Sequence, residues 1–366
     1  MSRALFLLAL AAVVVSPPAH ARGDWPVFRG DPLMTGTGTA KLPDKLEERW
    51  VFRAKDAVEA APAIVGDTVY LASFDKHLYA VSLATGKERW KVKLGAMKAA
   101  PAVRGDRVYV GTLDGQFFCL KAADGSKVWD FQTEGEIMAG ANFHGPNVLV
   151  GSHDSTLYCL DPNGKRVWSV KTDGPVNGSP AVVGDTTFVA GCDSILHILD
   201  AKTGKELGAV DLGGQAAATA AVVGDRAYVG TMANTVVAVD LKKKAKLWSF
   251  EAAVRQQPFY ASAAASDLVV AGSRDKKIYG IDPNTGKKVW DFTTEGQVDA
   301  SPVVVGGKVY GGCLSDGGEF YVLDLKTGKK LQELALDAAV CGSPAVGPDC
   351  LIVGTDKGMV YCLGKK

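Results

Sequence analysis

The sequence lacks a surplus of charge of either sign. Its 366 residues include 41 Lys and Arg against 40 Asp and Glu, which gives a formal net charge of +1 at pH 7. This balance removes any whole-chain argument for a nucleic acid or an anionic membrane as the partner. Hydrophobic residues make up 47% and charged residues 22% of the chain, so we expect a globular protein with a large core.

The one apolar run near the N-terminus, residues 4–15, is too short to span a bilayer, which requires about 20 residues. It follows the basic Arg3 and precedes Ala19-His20-Ala21, a small-residue cleavage pattern. We therefore predict a signal peptide over residues 1–21, cleaved after Ala21, with an uncleaved anchor as the alternative. The mature chain is then periplasmic or secreted and has no transmembrane segment. No cysteine precedes Cys119, so the cleavage region offers no site for a lipid.

The sequence also lacks helical periodicity and common catalytic motifs. Outside the signal peptide, no window shows the 3.6-residue period of an amphipathic helix. Neither G-x-S-x-G nor H-E-x-x-H occurs. The four histidines of the mature chain show no metal-ligand spacing: His77, His144, His153 and His197. These absences favour an all-β protein without a recognisable hydrolase or zinc centre.

What the sequence does contain is a repeat of about 40 residues. One series of equivalent positions is mostly proline: Pro62, Pro101, Ala141, Pro180, Ala220, Ser262, Pro302 and Pro344. A second series is mostly tryptophan: Trp50, Trp90, Trp129, Trp168, Leu207, Trp248, Trp290 and Leu331. Both series count eight units.

Each unit contains four short β-branched and aromatic runs separated by turn residues, as in "APAVRGDRVYVGTLDGQFFCLKAADGSKVWDFQT" (100–133). This pattern predicts an eight-bladed β-propeller of four-stranded antiparallel blades over residues 46–366, preceded by an arm over 22–45. The last unit has no tryptophan strand, whereas residues 46–54 form such a strand without a unit of their own. We predict that residues 46–54 pair with 358–364 and close a monomeric ring.

The recurring T-G-K-x-x-W stretch is interpreted as structural, because its turns lead into strands and not into a helix that could cradle phosphate. The six tryptophans then pack between neighbouring blades. Three cysteines occupy one repeat position that elsewhere holds Ala or Gly, which favours buried packing: Cys119, Cys159 and Cys362. Cys313 and Cys341 fall on one side of adjacent blades, and a disulfide between them is an open alternative.

An Asp ending the third strand, followed by x-x-T-G-K-x-x-W, resembles the tryptophan-docking motif of the pyrroloquinoline-quinone (PQQ) enzyme repeat family over residues 46–364. The leader "DWPVFRGDP" (24–32) resembles the N-terminal arm of exported bacterial members. The family resemblance implies an eight-bladed propeller and two branches: quinoprotein alcohol dehydrogenases, and non-catalytic BamB-like proteins that help assemble outer-membrane β-barrels.

The dehydrogenase branch implies PQQ held with Ca²⁺, a carboxylate base, a vicinal disulfide and long insertions. This chain has no adjacent cysteines, and its repeats vary by only a few residues. We therefore expect no cofactor and an exported binding or scaffold protein with a protein partner in the cell envelope, resembling BamB. A PQQ-dependent alcohol dehydrogenase with a minimal site is the alternative. The chain departs from the BamB-like branch in lacking a lipidation cysteine.

Candidate sites lie on the face that carries the loops between blades. Five aspartates recur there at one repeat position, which indicates hairpin turns more than a metal ring: Asp75, Asp114, Asp154, Asp193 and Asp275. The longest interblade loop, residues 251–262, and two neighbouring turns supply aromatic, Arg and polar side chains of the kinds that binding sites favour: Arg255, Gln256, Gln257, Phe259, Tyr260, Arg274, Asp316 and Glu319. The alternative is that Phe259 and Tyr260 only cover the channel edge.

Overall fold

The computed structural model describes residues 23–252 and 257–366. The predicted signal peptide and its cleavage site therefore lie outside the described residues. Every regular element of the described chain is a β-strand. Within these two ranges, no helix could cross a membrane.

Eight sheets are arranged as blades 1 to 8, as predicted. Blades 1 to 4, each given from the inner to the outer strand, are β3 (Ala63–Val65), β4 (Thr68–Ala72), β5 (His77–Ser82), β6 (Glu88–Lys93); β7 (Ala102–Arg104), β8 (Arg107–Gly111), β9 (Gln116–Lys121), β10 (Lys127–Gln132); β11 (Asn142–His144), β12 (Asn147–Ser152), β13 (Thr156–Leu160), β14 (Arg166–Lys171); β15 (Ala181–Val183), β16 (Thr186–Ala190), β17 (Ile195–Asp200), β18 (Glu206–Asp211).

Blades 5 to 8 follow the same order: β19 (Ala221–Val223), β20 (Arg226–Gly230), β21 (Thr235–Asp240), β22 (Ala245–Glu251); β23 (Ala264–Ala265), β24 (Val269–Ser273), β25 (Lys277–Ile281), β26 (Lys288–Thr293); β27 (Val303–Val305), β28 (Lys308–Gly312), β29 (Glu319–Asp324), β30 (Lys330–Ala335); β31 (Ala345–Val346), β32 (Cys350–Gly354), β33 (Met359–Gly364), β2 (Glu47–Arg53).

The middle strands of each blade form the core. Val108, Tyr109 and Val110 of β8 are all buried, because both faces of a blade pack against its neighbours. The first hairpin of that blade turns at Gly105, whose φ of 59° suits glycine. The outer strands alternate between exposed and half-buried residues, as expected for edges that face solvent.

The predicted closure of the ring is confirmed. β2 pairs antiparallel with β33, and Trp50 lies opposite Cys362 in the register. Arg49 on β2 also forms a bidentate ion pair with Asp349, both N–O distances being 2.8 Å. The N-terminal strand thus supplies the outer edge of blade 8, and the ring has no open blade.

The N-terminal arm lies inside the ring and is part of the core. Trp25, Arg29 and Met34 are at most 3% exposed. The arm fills the channel because each inner strand turns an unpaired backbone edge towards it, and buried N–H groups require partners. A short strand, β1 (Thr37–Gly38), even pairs in parallel with β27.

Hydrogen bonds join the arm to blades 1 to 7. The donors are backbone N–H groups of inner strands, with one side-chain amide at blade 3: Ile64 to Trp25, Val103 to Pro26, Asn142 to Pro32, Val182 to Pro32, Val222 to Leu33, Ala265 to Thr35 and Val304 to Gly36. The Arg29 guanidinium donates to the carbonyls of Ser301, Ala263 and Pro302. Burial lowers the pKa of Arg29 to about 9.

Tryptophan docking between blades is confirmed. In the described residues, six indole N–H groups donate to a carbonyl in the turn of the next blade, at 2.8–3.2 Å: Trp50 to Leu83, Trp90 to Ala122, Trp129 to Pro162, Trp168 to Ala201, Trp248 to Pro283 and Trp290 to Leu325. Each indole also lies on the glycine of that turn. A Cβ on Gly86, for example, would come within 2.7 Å of Trp50. The T-G-K turn is therefore a docking surface for tryptophan.

At the two junctions without tryptophan, the predicted tryptophan positions, Leu207 and Leu331, are each wrong by one residue. The strand register places Gly208 opposite Ile198 and Gln332 opposite Val322, where other blades pair tryptophan with Ala, Cys or Gly. The tryptophan positions are thus Gly208 and Gln332, and not the preceding leucines, Leu207 and Leu331. Those leucines face solvent, 41% and 48% exposed.

Candidate functional site

The channel opens into a cavity of about 570 Å³ on the face that carries the interblade loops. Phe28 of the arm lies in its floor. Each blade contributes one residue to the rim of the wall, the one that stands three positions before its inner-strand proline position: Glu59, Lys98, Met138, Asn177, Ala217, Tyr260, Asp299 and Cys341. This position lies outside the paired strands of the blade. Its residue type can therefore differ from blade to blade without disturbing the ring.

The repeat pattern of the sequence predicts Ser262 as the proline position of blade 6, but Tyr260 belongs to this series only if that position is Ala263. The hydrogen bonds show that the proline position of blade 6 is Ala263. The N–H of Thr219 donates to Ser262 Oγ, and the N–H of Ser262 donates to Ser301 Oγ, both at 2.9 Å. Ser262 is thus equivalent to Ser301, the residue before Pro302.

The two sides of the cavity differ below this rim. On blades 5 to 8 the wall is a belt of buried hydroxyls, each accepting an N–H from the preceding blade: Thr219, Ser262, Ser301 and Ser343. On blades 1 to 3 the equivalent residues are Ala61, Ala100 and Gly140. A Cβ on Gly140 would lie 3.2 Å from Phe28, so the arm packs where the side chains are smallest.

The charges that line the cavity are paired within the protein. Lys98 Nζ lies 3.2 Å from Glu59 Oε2. Arg274 donates to both carboxylate oxygens of Asp299, at 2.9 and 2.7 Å. These hydrogen bonds to Asp299 raise the pKa of Arg274. The Arg274 guanidinium also lies over the ring of Tyr260, 3.9 Å from its centroid, which fixes an aromatic and cationic platform at the rim.

The cysteines of this side are free thiols. Cys313 is buried and its Sγ lies 3.4 Å from Ser315 Oγ, whereas Cys341 lines the cavity. Burial raises the pKa of Cys341 to about 12, so its thiolate is not available as a nucleophile near neutral pH. The predicted packing of Cys119, Cys159 and Cys362 is confirmed, since each is at most 1% exposed.

The eight predicted binding residues do not form one site. Arg255 and Gln256 lie outside the described residues. Phe259 is fully buried in the core between blades 5 and 6, against Phe250 and Tyr279, so its assignment as a binding residue is wrong. Its ring meets that of Phe250 edge-on, with the centroids 6.4 Å apart, as aromatic pairs in cores often do.

The other predicted residues divide between the cavity and the outer surface. Tyr260 and Arg274 line the cavity. Gln257 is half-buried and Asp316 is exposed. Glu319 begins β29 and accepts a hydrogen bond from Ser315. Neither Asp316 nor Glu319 is among the residues that line the cavity.

The recurring aspartates act as turn residues. Asp75 accepts hydrogen bonds from the N–H groups of Lys55 and His77, both at 2.9 Å, and from the Tyr79 hydroxyl. Asp154 accepts from the Glu134 N–H and, at 2.7 Å, from the Tyr158 hydroxyl. In blades 1 and 3 these bonds tie the turn to the loop that enters the blade.

The sequence reasoning missed most of the cavity. Glu59, Lys98, Asn177 and Asp299 vary in type, so no motif marks them. The information was present in the repeat, because all of them stand three positions before the inner-strand proline position. The one-residue misplacement of that position in blade 6 hid the equivalence of Tyr260.

Comparison with known proteins agrees with this architecture. Residues 97–365 match the family described as "Beta-alanine-activating enzyme, beta-propeller". The chain belongs to this β-propeller family. Residues 41–152 also match the family described as "Outer membrane protein assembly factor BamB". The resemblance to PQQ-repeat and BamB-like propellers is thereby confirmed.

Individual relatives come from both branches. Quinoprotein glucose dehydrogenase of Escherichia coli (strain K12) is 34% identical over 99 residues, which are 22% of this chain and only 12% of that enzyme. BamB from Moraxella catarrhalis has a TM-score of 0.74 at 20% identity, covering 88% of this chain and 98% of its own. Quinohemoprotein alcohol dehydrogenase from Comamonas testosteroni has a TM-score of 0.79 at 15% identity, covering 95% and 82%. At these identities the solved structures show the fold alone.

The cavity residues do not fit PQQ with Ca²⁺. Such a site needs several oxygen ligands around the ion and a free carboxylate base. Across residues 23–252 and 257–366, no group of three His, Cys, Asp or Glu side chains is arranged to hold a metal ion. The carboxylates that line the cavity, Glu59 and Asp299, are each engaged by a cationic side chain.

Proposed function

We propose that the chain is an exported, non-catalytic binding protein of the bacterial cell envelope, a scaffold similar to the assembly factor BamB. Its binding surface is the mouth of the channel around Tyr260 and Arg274, and its ligand is an extended segment of a protein partner. The match of residues 41–152 to the BamB family supports this assignment.

The observation that carries the proposal is the combination of a plugged channel with paired charges. The arm closes the floor through hydrogen bonds to seven blades, so the cavity is a fixed bowl and not a pore. Inside it, Glu59 forms an ion pair with Lys98, and Asp299 forms a bidentate one with Arg274. The rim still presents an Arg–Tyr platform, a pair of residue types enriched where partners bind most strongly.

The test is capture of the partner by immobilised variants from envelope extracts. Tyr260→Ala removes the platform at the cavity rim without touching a blade core, so we expect loss of the partner with little change in Tm. The matched control is the pair Lys287→Ala and Lys288→Ala, on the turns of the opposite face, which should leave capture intact. Loss of capture in the control alone would place the binding surface on the other face.

A PQQ-dependent alcohol dehydrogenase is the second candidate, favoured by the local 34% identity to quinoprotein glucose dehydrogenase. It is tested by titrating the purified protein with PQQ and Ca²⁺ and following the quinone absorbance. We expect no saturable binding and no oxidation of primary alcohols with an artificial electron acceptor. Turnover that is lost on adding a chelator would establish the enzyme instead.

A further inference from the structure

The junction between blades 4 and 5 contains an open groove on the face opposite the cavity. Its volume is about 390 Å³, and apolar residues of both blades line it: Val183, Phe188, Ile198, Leu207 and Leu241. Val183 and Leu207 are 37% and 41% exposed. The groove lies where the tryptophan position holds Gly208, so it is the place that an indole would occupy.

At six other junctions of the described chain, the equivalent space between blades is filled by an indole. In each, an indole lies against the turn glycine of the next blade and donates to a carbonyl one or two residues after the third strand. In blade 5 the equivalent carbonyl belongs to Leu241, and the turn glycine is replaced by Lys244, which keeps a left-handed φ of 54°.

Lys244 covers the groove only with a flexible side chain. A Cβ on Gly208 would lie 2.5 Å from Lys244 Cδ, so the lysine methylenes cross the glycine. Lys244 Nζ donates to the Leu207 carbonyl at the groove edge. A long lysine chain can move aside and keep its ammonium group in water. The groove is therefore accessible to a side chain that arrives from outside.

The border of the groove is basic. Lys242, Lys243, Lys244 and Lys246 crowd one turn, against the carboxylates of Asp225 and Asp240. Lys242 and Lys243 are 76% and 79% exposed, so their ion pairs, at 2.7 and 4.0 Å, are weak and exchangeable. An acidic ligand can replace these partners.

We propose that this groove is a second binding site, which takes an aromatic side chain, indole above all, from an acidic segment of a protein partner. The indole lies between Leu207 and Leu241, and neighbouring carboxylates of the ligand pair with the lysines. This inference does not depend on the function proposed for the channel mouth, because the two sites lie on different sides of the ring.

The test uses a fluorescein-labelled peptide, Asp-Glu-Trp-Glu-Asp, and its anisotropy with the purified protein. Leu207→Ala should weaken binding about tenfold, the loss typical of a central apolar contact. Leu331→Ala is the matched control, since Leu331 holds the same strand position in blade 7 and is 48% exposed; it should change nothing. A peptide with Ala in place of Trp should not bind.

A second variant tests the site by filling it. Gly208→Trp combined with Lys244→Gly and Ile198→Ala rebuilds the indole–glycine pair of the other junctions inside the chain, with a small residue opposite the tryptophan as in the other blades. It should abolish peptide binding while Tm is unchanged or higher, so that loss of binding is not confused with unfolding. Lys242→Gln with Lys243→Gln should weaken binding and flatten its salt dependence.

Three results would overturn the inference. One is equal affinity for the Trp and Ala peptides, which would mean only attraction between charges. Another is full binding by the filled variant at an unchanged Tm. The third is a protein that sediments as a dimer and that Leu207→Ala converts into a monomer, because a second copy of the chain would then cover the groove.

Discussion

The junctions between blades 4 and 5 and between blades 7 and 8 both lack a docked tryptophan, yet they are built differently. At blade 8 no turn exists for an indole, because the chain termini supply the two outer strands. Gln332 replaces the indole there, and its amide forms two 2.8 Å hydrogen bonds with the Leu46 backbone. At blade 5 the turn is present, but Gly208 and Lys244 leave the groove open.

The difference shows that the kind of side chain at the tryptophan position depends on which backbone groups face it. Where Leu46 presents an unpaired N–H and carbonyl, a two-ended amide satisfies both and holds the closing strand. Where a turn offers a carbonyl that can accept the indole N–H, a tryptophan fits. Without the indole, an apolar surface stays uncovered. The first junction is therefore structural, and the second is free to bind.

The largest effect is expected from removing the closing strand. A chain that begins at residue 55 lacks the arm, β2 and the Leu46 partner of Gln332, so the ring should lose its cooperative unfolding transition. Calorimetry of the mature and truncated proteins measures this. A truncated protein that melts like the mature one would show that β2 and the arm are dispensable.

The next largest effect concerns the buried aromatics. Trp168→Ala should cost about 3–5 kcal/mol of unfolding free energy, the usual range for large aromatic residues in cores. Trp25→Ala in the arm should cost a similar amount, since Trp25 is 3% exposed and Trp168 is 9% exposed. Denaturant titration compares the two. A cost at Trp25 far below that at Trp168 would show that the arm is an appendage and not part of the core.

The two junctions without tryptophan are compared directly by small substitutions. Gln332→Ala should cost about 1–3 kcal/mol, because it leaves two backbone groups of Leu46 without partners. Gly208→Ala should change stability by less than about 0.5 kcal/mol, since the contacting Lys244 side chain can move. Equal costs in the same denaturant titration would contradict the distinction between a structural and an open junction.

The smallest effect is a pH dependence at the closing blade. The hydrogen bond from Arg49 holds the pKa of Asp349 below its ordinary value. A carboxyl with a depressed pKa adds stability above its unfolded pKa and loses it as the pH falls through the folded value. Asp349→Asn should therefore lower Tm slightly at pH 7, and the difference should shrink as the pH falls below the ordinary Asp pKa of about 3.9. Thermal melts across this range test it, and a constant difference at every pH would exclude the ion pair as its source.

Much of the fold could be predicted because it depends on local patterns. The turn glycines, the alternating strands and the tryptophans all repeat, and β2 was identifiable as the strand that the last unit lacked. The path of the arm could not be predicted. Its contacts are backbone hydrogen bonds to inner strands, such as Val182 to Pro32, and these leave no residue pattern.

The candidate site was harder to predict for two physical reasons. Cavity residues such as Lys98 and Asn177 meet only in the closed ring, so nothing in the linear sequence groups them. Loop length was also a poor guide to exposure, because the long loop of blade 6 places Phe259 in the core and only Tyr260 at the rim. Tyr260 and Arg274 were predicted as binding residues on the loop face; the structure places both at the cavity and brings their side chains into contact, and their role in binding stays a prediction.

The most direct test of the proposed binding function is site-specific photocrosslinking in cells that express the protein. The photoreactive p-benzoylphenylalanine replaces Tyr260 at the cavity rim in one variant and Lys287 on the opposite face in another. We expect a crosslinked envelope protein, the same one in repeated experiments, from position 260 and none from position 287. A crosslink from position 287 alone, or no protein crosslink from either position, would contradict the proposed function.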